Sequence, residues 1–168
     1  MVSAQNKAVV DAIKRSDLNS YKALSDLLDM AKVIADPEGD HDLAYALKLT
    51  NFIKRKIPTL PSSIVLNQLY WQAMKFEAPH QFESFLLYME KNRSPKKRFY
   101  QPRAKTLHVV VEDLQDLEDG LIEFYGLSLP PRVGKSTVCI FFLAWCAGRH
   151  PDLHNAMGGH SGILAKGF

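Results

Sequence analysis

Eight residues, Pro130-Pro131-Arg132-Val133-Gly134-Lys135-Ser136-Thr137, lie between an aliphatic and aromatic stretch at 121–129 and an unbroken apolar run at 138–146. This order constrains the chain more than any other feature. The stretch at 121–129 reads as a strand interrupted near Gly126, and 135–147 reads as an apolar helix closed by Gly148. A second short strand is expected at 155–159, and Ser161 is placed to cap a further helix. The expected architecture is therefore α/β: a helical N-terminal region, then a strand–loop–helix–strand unit that opens a parallel sheet and leaves it incomplete.

The loop itself predicts chemistry. A loop entering a helix presents backbone N–H groups without intrahelical partners, and the helix dipole adds partial positive charge, so the position suits phosphate. The P-loop pattern is Gly, four residues, Gly, Lys, then Ser or Thr. Gly134, Lys135 and Ser136 keep its second half, while Leu129 stands where the first Gly is expected. Gly134 lets backbone approach phosphate oxygens, Lys135 reaches the β- and γ-phosphates, and Ser136 Oγ ligates Mg²⁺. Thr137 adds a second hydroxyl. The candidate nucleotide contacts are thus Pro131, Arg132, Val133, Gly134, Lys135, Ser136 and Thr137, with ATP and Mg²⁺ as ligands and Ser136 as the metal-binding residue. Arg132 is a catalytic candidate beside Lys135 if its guanidinium meets the γ-phosphate. Alternatively it pairs with the acids at 112–123. A chance Gly-Lys-Ser at a helix start is the bland alternative, and the strand–loop–helix order argues against it.

The first ninety residues read as helices. Ala8, Val9, Ala12 and Ile13 recur at helical spacing, as do Leu24, Leu27, Leu28, Ala31 and Ile34 after a cap at Ser20. The breaker 36–40 ends this second helix, and Asp40 or His41 opens a third that runs to Lys54-Arg55-Lys56. Pro58 and Pro61 interrupt, Ser62 or Ser63 caps a fourth helix, and Pro79 separates it from a fifth at 82–91 with Phe82, Phe85, Leu86 and Met89 on one face. The aromatics Trp71, Phe76, Phe82, Phe85 and Tyr88 are read as core. A helix through Leu107, Val110, Val111, Leu114 and Leu117 ends at Gly120. The domain reading is 1–93 helical, 94–106 a basic linker, and 107–168 the start of the P-loop domain.

Charge is informative by location. Segment 91–105 carries seven basic residues and no acid, and 112–123 carries six acids and no base. The basic block either meets nucleic acid or nucleotide phosphate, or is a solvated linker whose cations pair with the acidic helix. Phe99, Tyr100 and Pro102 are interleaved with its cations, so Tyr100 and Arg103 are candidates for a base pocket. Cys139 and Cys146 fall two turns apart on one helix, too far to bridge, and a reducing cytoplasm is the default compartment. No apolar run approaches the length of a membrane span.

The stretch LSLPPRVGKSTVCIFFLAWCAGRHPDLHNAMGGHSGILAKGF resembles the start of the ATPase domain of large terminase subunits, the DNA-packaging motors of tailed bacteriophages and prophages. FESFLLYMEKNR and RFYQPRAKTL resemble the helical lead-in of that family. The likeness covers roughly 82–168 and is loose before that. It implies an ATP-hydrolysing motor that drives double-stranded DNA into a procapsid in the bacterial host cytoplasm. Implied partners are DNA, a portal protein and a small terminase subunit, with the full-length protein homo-oligomeric on the portal. Family members carry a Walker B acid pair on a later strand and a nuclease domain beyond it. Neither has a counterpart by residue 168, so the chain is expected to be an N-terminal fragment without turnover of its own. A nucleotide- or DNA-binding module without turnover and a P-loop kinase are the alternative readings. The helical region ahead of the loop argues against the kinase.

Overall fold

The computed structural model describes residues 1–154. They form seven α-helices: α1 (Ala4–Arg15), α2 (Tyr21–Ala35), α3 (Leu43–Lys56), α4 (Ile64–Glu77), α5 (Phe82–Glu90), α6 (Ala104–Glu118) and α7 (Lys135–Arg149). Short 3-10 turns stand at Ile57–Thr59, Pro95–Lys97 and Gln101–Arg103. The chain divides into two compact units, Met1–Glu77 and Ala78–Phe168. That division falls earlier than the boundary at 93/94 read from the sequence, so α5 and segment 94–106 both belong to the second unit.

The α/β expectation is overturned: among the described residues there is no strand. A strand needs a partner to form its ladder, and no described segment supplies one. Residues 123–130 instead run without regular structure, with alternating exposure. Tyr125, Leu127 and Leu129 turn toward the second unit's core, while Phe124, Gly126 and Ser128 face out. Period-2 packing is thus present without a ladder. The strand expected at 155–159 and the cap at Ser161 lie outside the described residues.

In the first unit, side-chain oxygens cap all four helices, and Ser3 accepts from Asn6 N–H at 3.2 Å at the start of α1. Ser20 accepts from Ala23 N–H at 3.3 Å, Asp42 from Tyr45 N–H at 3.0 Å, and Ser63 from Leu66 N–H at 3.2 Å. Each such cap is worth about 1 kcal/mol. Asp42, not Asp40 or His41, opens α3. His41 has φ 54°, a left-handed conformation that no helix contains. Asp40 is engaged by Asn6 Nδ2 at 2.8 Å and Ser3 Oγ at 3.3 Å, and these bonds hold its carboxyl below the usual carboxylate range. The core is aliphatic and centred on α2, whose Leu24, Leu27, Leu28, Ala31 and Ile34 are buried. One carboxylate enters it. Glu77 is fully buried, accepts from Thr50 Oγ1 at 2.5 Å and pairs with Lys54 Nζ.

The second unit's core is more aromatic. Phe82 meets Phe142 edge-on at 5.4 Å and lies 5.2 Å from Trp145, whose Nε1–H donates to Ala78 O at 2.8 Å. α6 contributes Leu107, Val110, Val111 and Leu114. Gly120, at φ 72°, follows the end of α6 as expected of a C′ glycine. Gly148 does not end α7, which continues through Arg149. Arg149 Nη1 reaches Asp119 Oδ1 at 3.1 Å, and His150 Nε2 lies 2.9 Å from Glu118 Oε1. The end of α7 is thereby tied to the end of α6. On α5 the buried side chains are Phe82, Ser84, Leu86 and Glu90, and Met89, expected in the core, is exposed.

Candidate phosphate-binding loop

Gly134 is the N-cap of α7, at φ 108°, and no side chain caps the helix. Its carbonyl accepts the first helical bond, from Val138 N–H at 3.0 Å. The N–H groups of Lys135, Ser136 and Thr137 occupy the first helical positions, where no intrahelical acceptor exists. Arg132 has φ 68°, while Val133 keeps a negative φ and Pro131 is fixed at one by its ring. The sign of φ therefore alternates along 131–135. Alternation of this kind turns successive N–H groups toward one side, the geometry of an anion-binding nest.

Side chains sort by exposure. Pro131, Arg132, Lys135 and Ser136 are exposed, and Val133, Gly134 and Thr137 are half-buried. Val133 and Leu129 pack against the core. Leu129, where the P-loop pattern has Gly, thus anchors the entry to the loop. Among the described residues neither Arg132 nor Lys135 forms a salt bridge, so the pairing of Arg132 with the acids at 112–123 is not formed. One turn beyond Lys135, burial pushes the Cys139 thiol up, opposed by the Lys135 charge. Cys139 and Cys146 are both free thiols.

Gly134 is required for a reason the motif does not state. A Cβ there would lie 2.3 Å from Phe99 Cε2 and 3.0 Å from Cζ. The Phe99 ring fills the side of the loop that a side chain would take. It stacks on Phe141 of α7, centroids 6.0 Å apart and planes 13° apart. The Arg103 guanidinium lies 5.8 Å from the Phe99 ring centre and donates to Phe99 O at 3.0 Å. The Arg93 guanidinium lies 5.7 Å from the Phe141 ring centre. Of segment 91–105, Phe99 is therefore packed against the loop and Arg93 and Arg103 lie over the Phe141 and Phe99 rings.

Tyr100, expected at a base pocket, is fully buried and donates its hydroxyl to Glu83 Oε1 at 2.6 Å. Burial first, then Glu83, pushes its phenol far up. It offers no ring face to a base, whereas Arg103 is exposed. The acidic end of α6 is met by Arg149 and His150, and no salt bridge joins it to Arg93, Lys96, Lys97, Arg98, Arg103 or Lys105 among the described residues. Arg98 is held instead by Arg93 O at 3.0 Å and Gln101 Oε1 at 2.5 Å.

Two roles escaped the sequence reading. Phe99 backs Gly134, and Glu90 holds the turn that carries Phe99. Glu90 had one legible signal: it continues the buried row Phe82, Leu86 at four-residue spacing.

The described residues contain no cluster of three or more His, Cys, Asp or Glu side chains suited to a metal, and no helix long and apolar enough to cross a membrane. A cleft of about 510 Å³ lies in the first unit, lined by Ile57, Leu60, Ser63, Ile64, Asn67 and Tyr70 among others, and none of the expected site residues borders it. Comparison with family models, with curated proteins and with solved structures returned no match.

Proposed function

We propose that the loop at 130–137 binds the phosphates of ATP with Mg²⁺, and that the chain is the N-terminal part of an ATP-driven DNA-packaging motor subunit of the terminase kind. The observation that carries the nucleotide reading is the uncapped start of α7, with alternating φ signs through Gly134 and an exposed Lys135 and Ser136. These residues suit the ligand. Backbone N–H groups of 134–137 and the helix dipole favour anionic oxygens. Lys135 supplies a mobile positive charge, and the Ser136 hydroxyl is a hard oxygen donor of the type Mg²⁺ takes. Bound Mg²⁺ would neutralise charge on the β- and γ-phosphates. Arg132, exposed at the mouth of the loop, stands where a guanidinium offsets further phosphate charge. The motor assignment rests on the resemblance of 82–168 to large terminase subunits, and double-stranded DNA is the partner it brings.

The test is calorimetric titration of the full chain with Mg²⁺–ATP. Binding is expected, and Lys135→Ala should weaken it at least about tenfold, the loss of one charge-assisted contact. Equal affinity in the variant, or none in the wild type, would remove the site assignment.

A further inference from the structure

The structure assigns Glu90 as a positioning residue for the loop at 130–137, acting through Phe99. Glu90 is the last residue of α5 and is 2% exposed. Its Oε1 accepts from the backbone N–H of Phe99 and from that of Tyr100 at 2.6 Å, and its Oε2 accepts from Gln101 N–H at 3.1 Å. No salt bridge to Glu90 is formed among the described residues, so its carboxylate is met by backbone donors. A carboxylate buried this deeply persists only when its lone pairs are filled, and three charge-assisted bonds fill them. The same bonds fix three consecutive residues of the turn. A second carboxylate of α5, Glu83, lies two helical turns earlier and takes the Tyr100 hydroxyl.

The turn so fixed has one consequence for the loop. Phe99, its first residue, is placed flat on Phe141 with its ring edge against Gly134. Gly134 stands at φ 108°, and the ring occupies the space beside it that a Cβ would take. The path runs from the α5 carboxylate to the 99–101 backbone, then to the Phe99 ring, then to the N-cap of α7. Among the described residues Glu90 forms its hydrogen bonds with 99–101 and no ion pair with the loop itself.

Glu90→Gln removes the charge and places an NH₂ group against a backbone donor. Phe99→Leu leaves Glu90 intact and removes the ring edge. Amide hydrogen exchange in the ligand-free full chain reads the loop directly. Both variants should speed exchange of Val138 N–H, which is bonded to Gly134 O, and of the next amides of α7 by about tenfold or more, the scale of one lost bond to a charged group, with far smaller change in α6 at 107–114. Unchanged loop exchange in both variants overturns the assignment. If Glu90→Gln unfolds the second unit, Phe99→Leu alone decides, and unaltered loop exchange in it is equally fatal. A second readout rests on the phosphate-binding reading: each variant should weaken Mg²⁺–ATP binding, and the double variant should be no weaker than the worse single one, because the two residues act in series. Additive losses would show that Glu90 does not act through Phe99. Faster loop exchange with no ATP binding by the wild type would retain Glu90 as the loop's positioner and reject the nucleotide.

Discussion

Glu77 in the first unit and Glu90 in the second are both carboxylates withdrawn from water, and each ends a helix. Their surroundings differ. Glu77 meets a cation, Lys54, and a hydroxyl, Thr50, both from α3. Its partners are side chains of a helix that already packs beside it, so the pair joins two regular elements and shapes neither. Glu90 meets three backbone N–H groups from a segment with no regular structure of its own beyond short turns. There the carboxylate stands in for secondary structure. The contrast shows how each unit is built: helices with an aliphatic interior in the first, and helices plus pinned irregular chain in the second.

The largest expected effect tests the first half of that contrast. Lys54→Met should destabilise the first unit by about 3 kcal/mol or more, because it removes the cation that faces a buried carboxylate. Adding Glu77→Leu should recover most of the loss. Each unit carries one of the chain's two tryptophans, Trp71 and Trp145, so urea unfolding followed by fluorescence in a Trp145→Phe background reports the first unit alone. A loss below about 1 kcal/mol would mean that the pair behaves as an exposed one.

A smaller effect separates two glycines of the second unit. Gly134→Ala meets both a left-handed backbone and the Phe99 ring, whereas Gly120→Ala, at φ 72°, meets open space. The backbone term alone is about 1–2 kcal/mol at each position. Gly134→Ala should therefore be the more damaging by thermal melting, and it alone should abolish nucleotide binding. Equal losses would show that Phe99 yields freely, and the pinned-segment account would weaken with it.

The smallest effect on stability, within about 0.5 kcal/mol, is expected from Lys96→Ala with Lys97→Ala, since both side chains are exposed. If the basic segment carries DNA phosphates, the same change should flatten the slope of log affinity against log salt by about 2. An unchanged slope would leave segment 91–105 as scaffolding for the loop.

The helices of the first unit were legible because burial there follows a 3.6-residue period and side-chain oxygens mark the starts. Ser20 was read as a cap and is one; α3 was opened at Asp40 or His41 because a left-handed His41 leaves no trace in composition. The Gly-Lys-Ser start of α7 was legible as a helix N-terminus. The strand at 121–129 was not correctly read, because alternation reports only which face is covered, and a ladder also needs a partner. Tyr100 looked like an exposed ring in a basic stretch. It lies in the core, and its hydroxyl meets Glu83, seventeen residues earlier, a distance over which no local pattern operates. Glu90 continues the buried row of α5, but the turn it holds lies nine to eleven residues on and leaves no local pattern.

The hydrogen bond from Trp145 to the carbonyl of Ala78 spans 67 positions of the chain. During synthesis the first unit is complete once Glu77 has emerged, and its longest-range pairing needs nothing later. The second unit must wait. At roughly 5–20 residues per second, the ribosome takes several seconds to deliver Trp145 after Ala78. Through that interval Phe82 lacks the α7 aromatics that cover it. Contacts of such sequence separation form slowly for the added reason that loop closure must precede them. The second unit can therefore close its aromatic core only after α7 has been made.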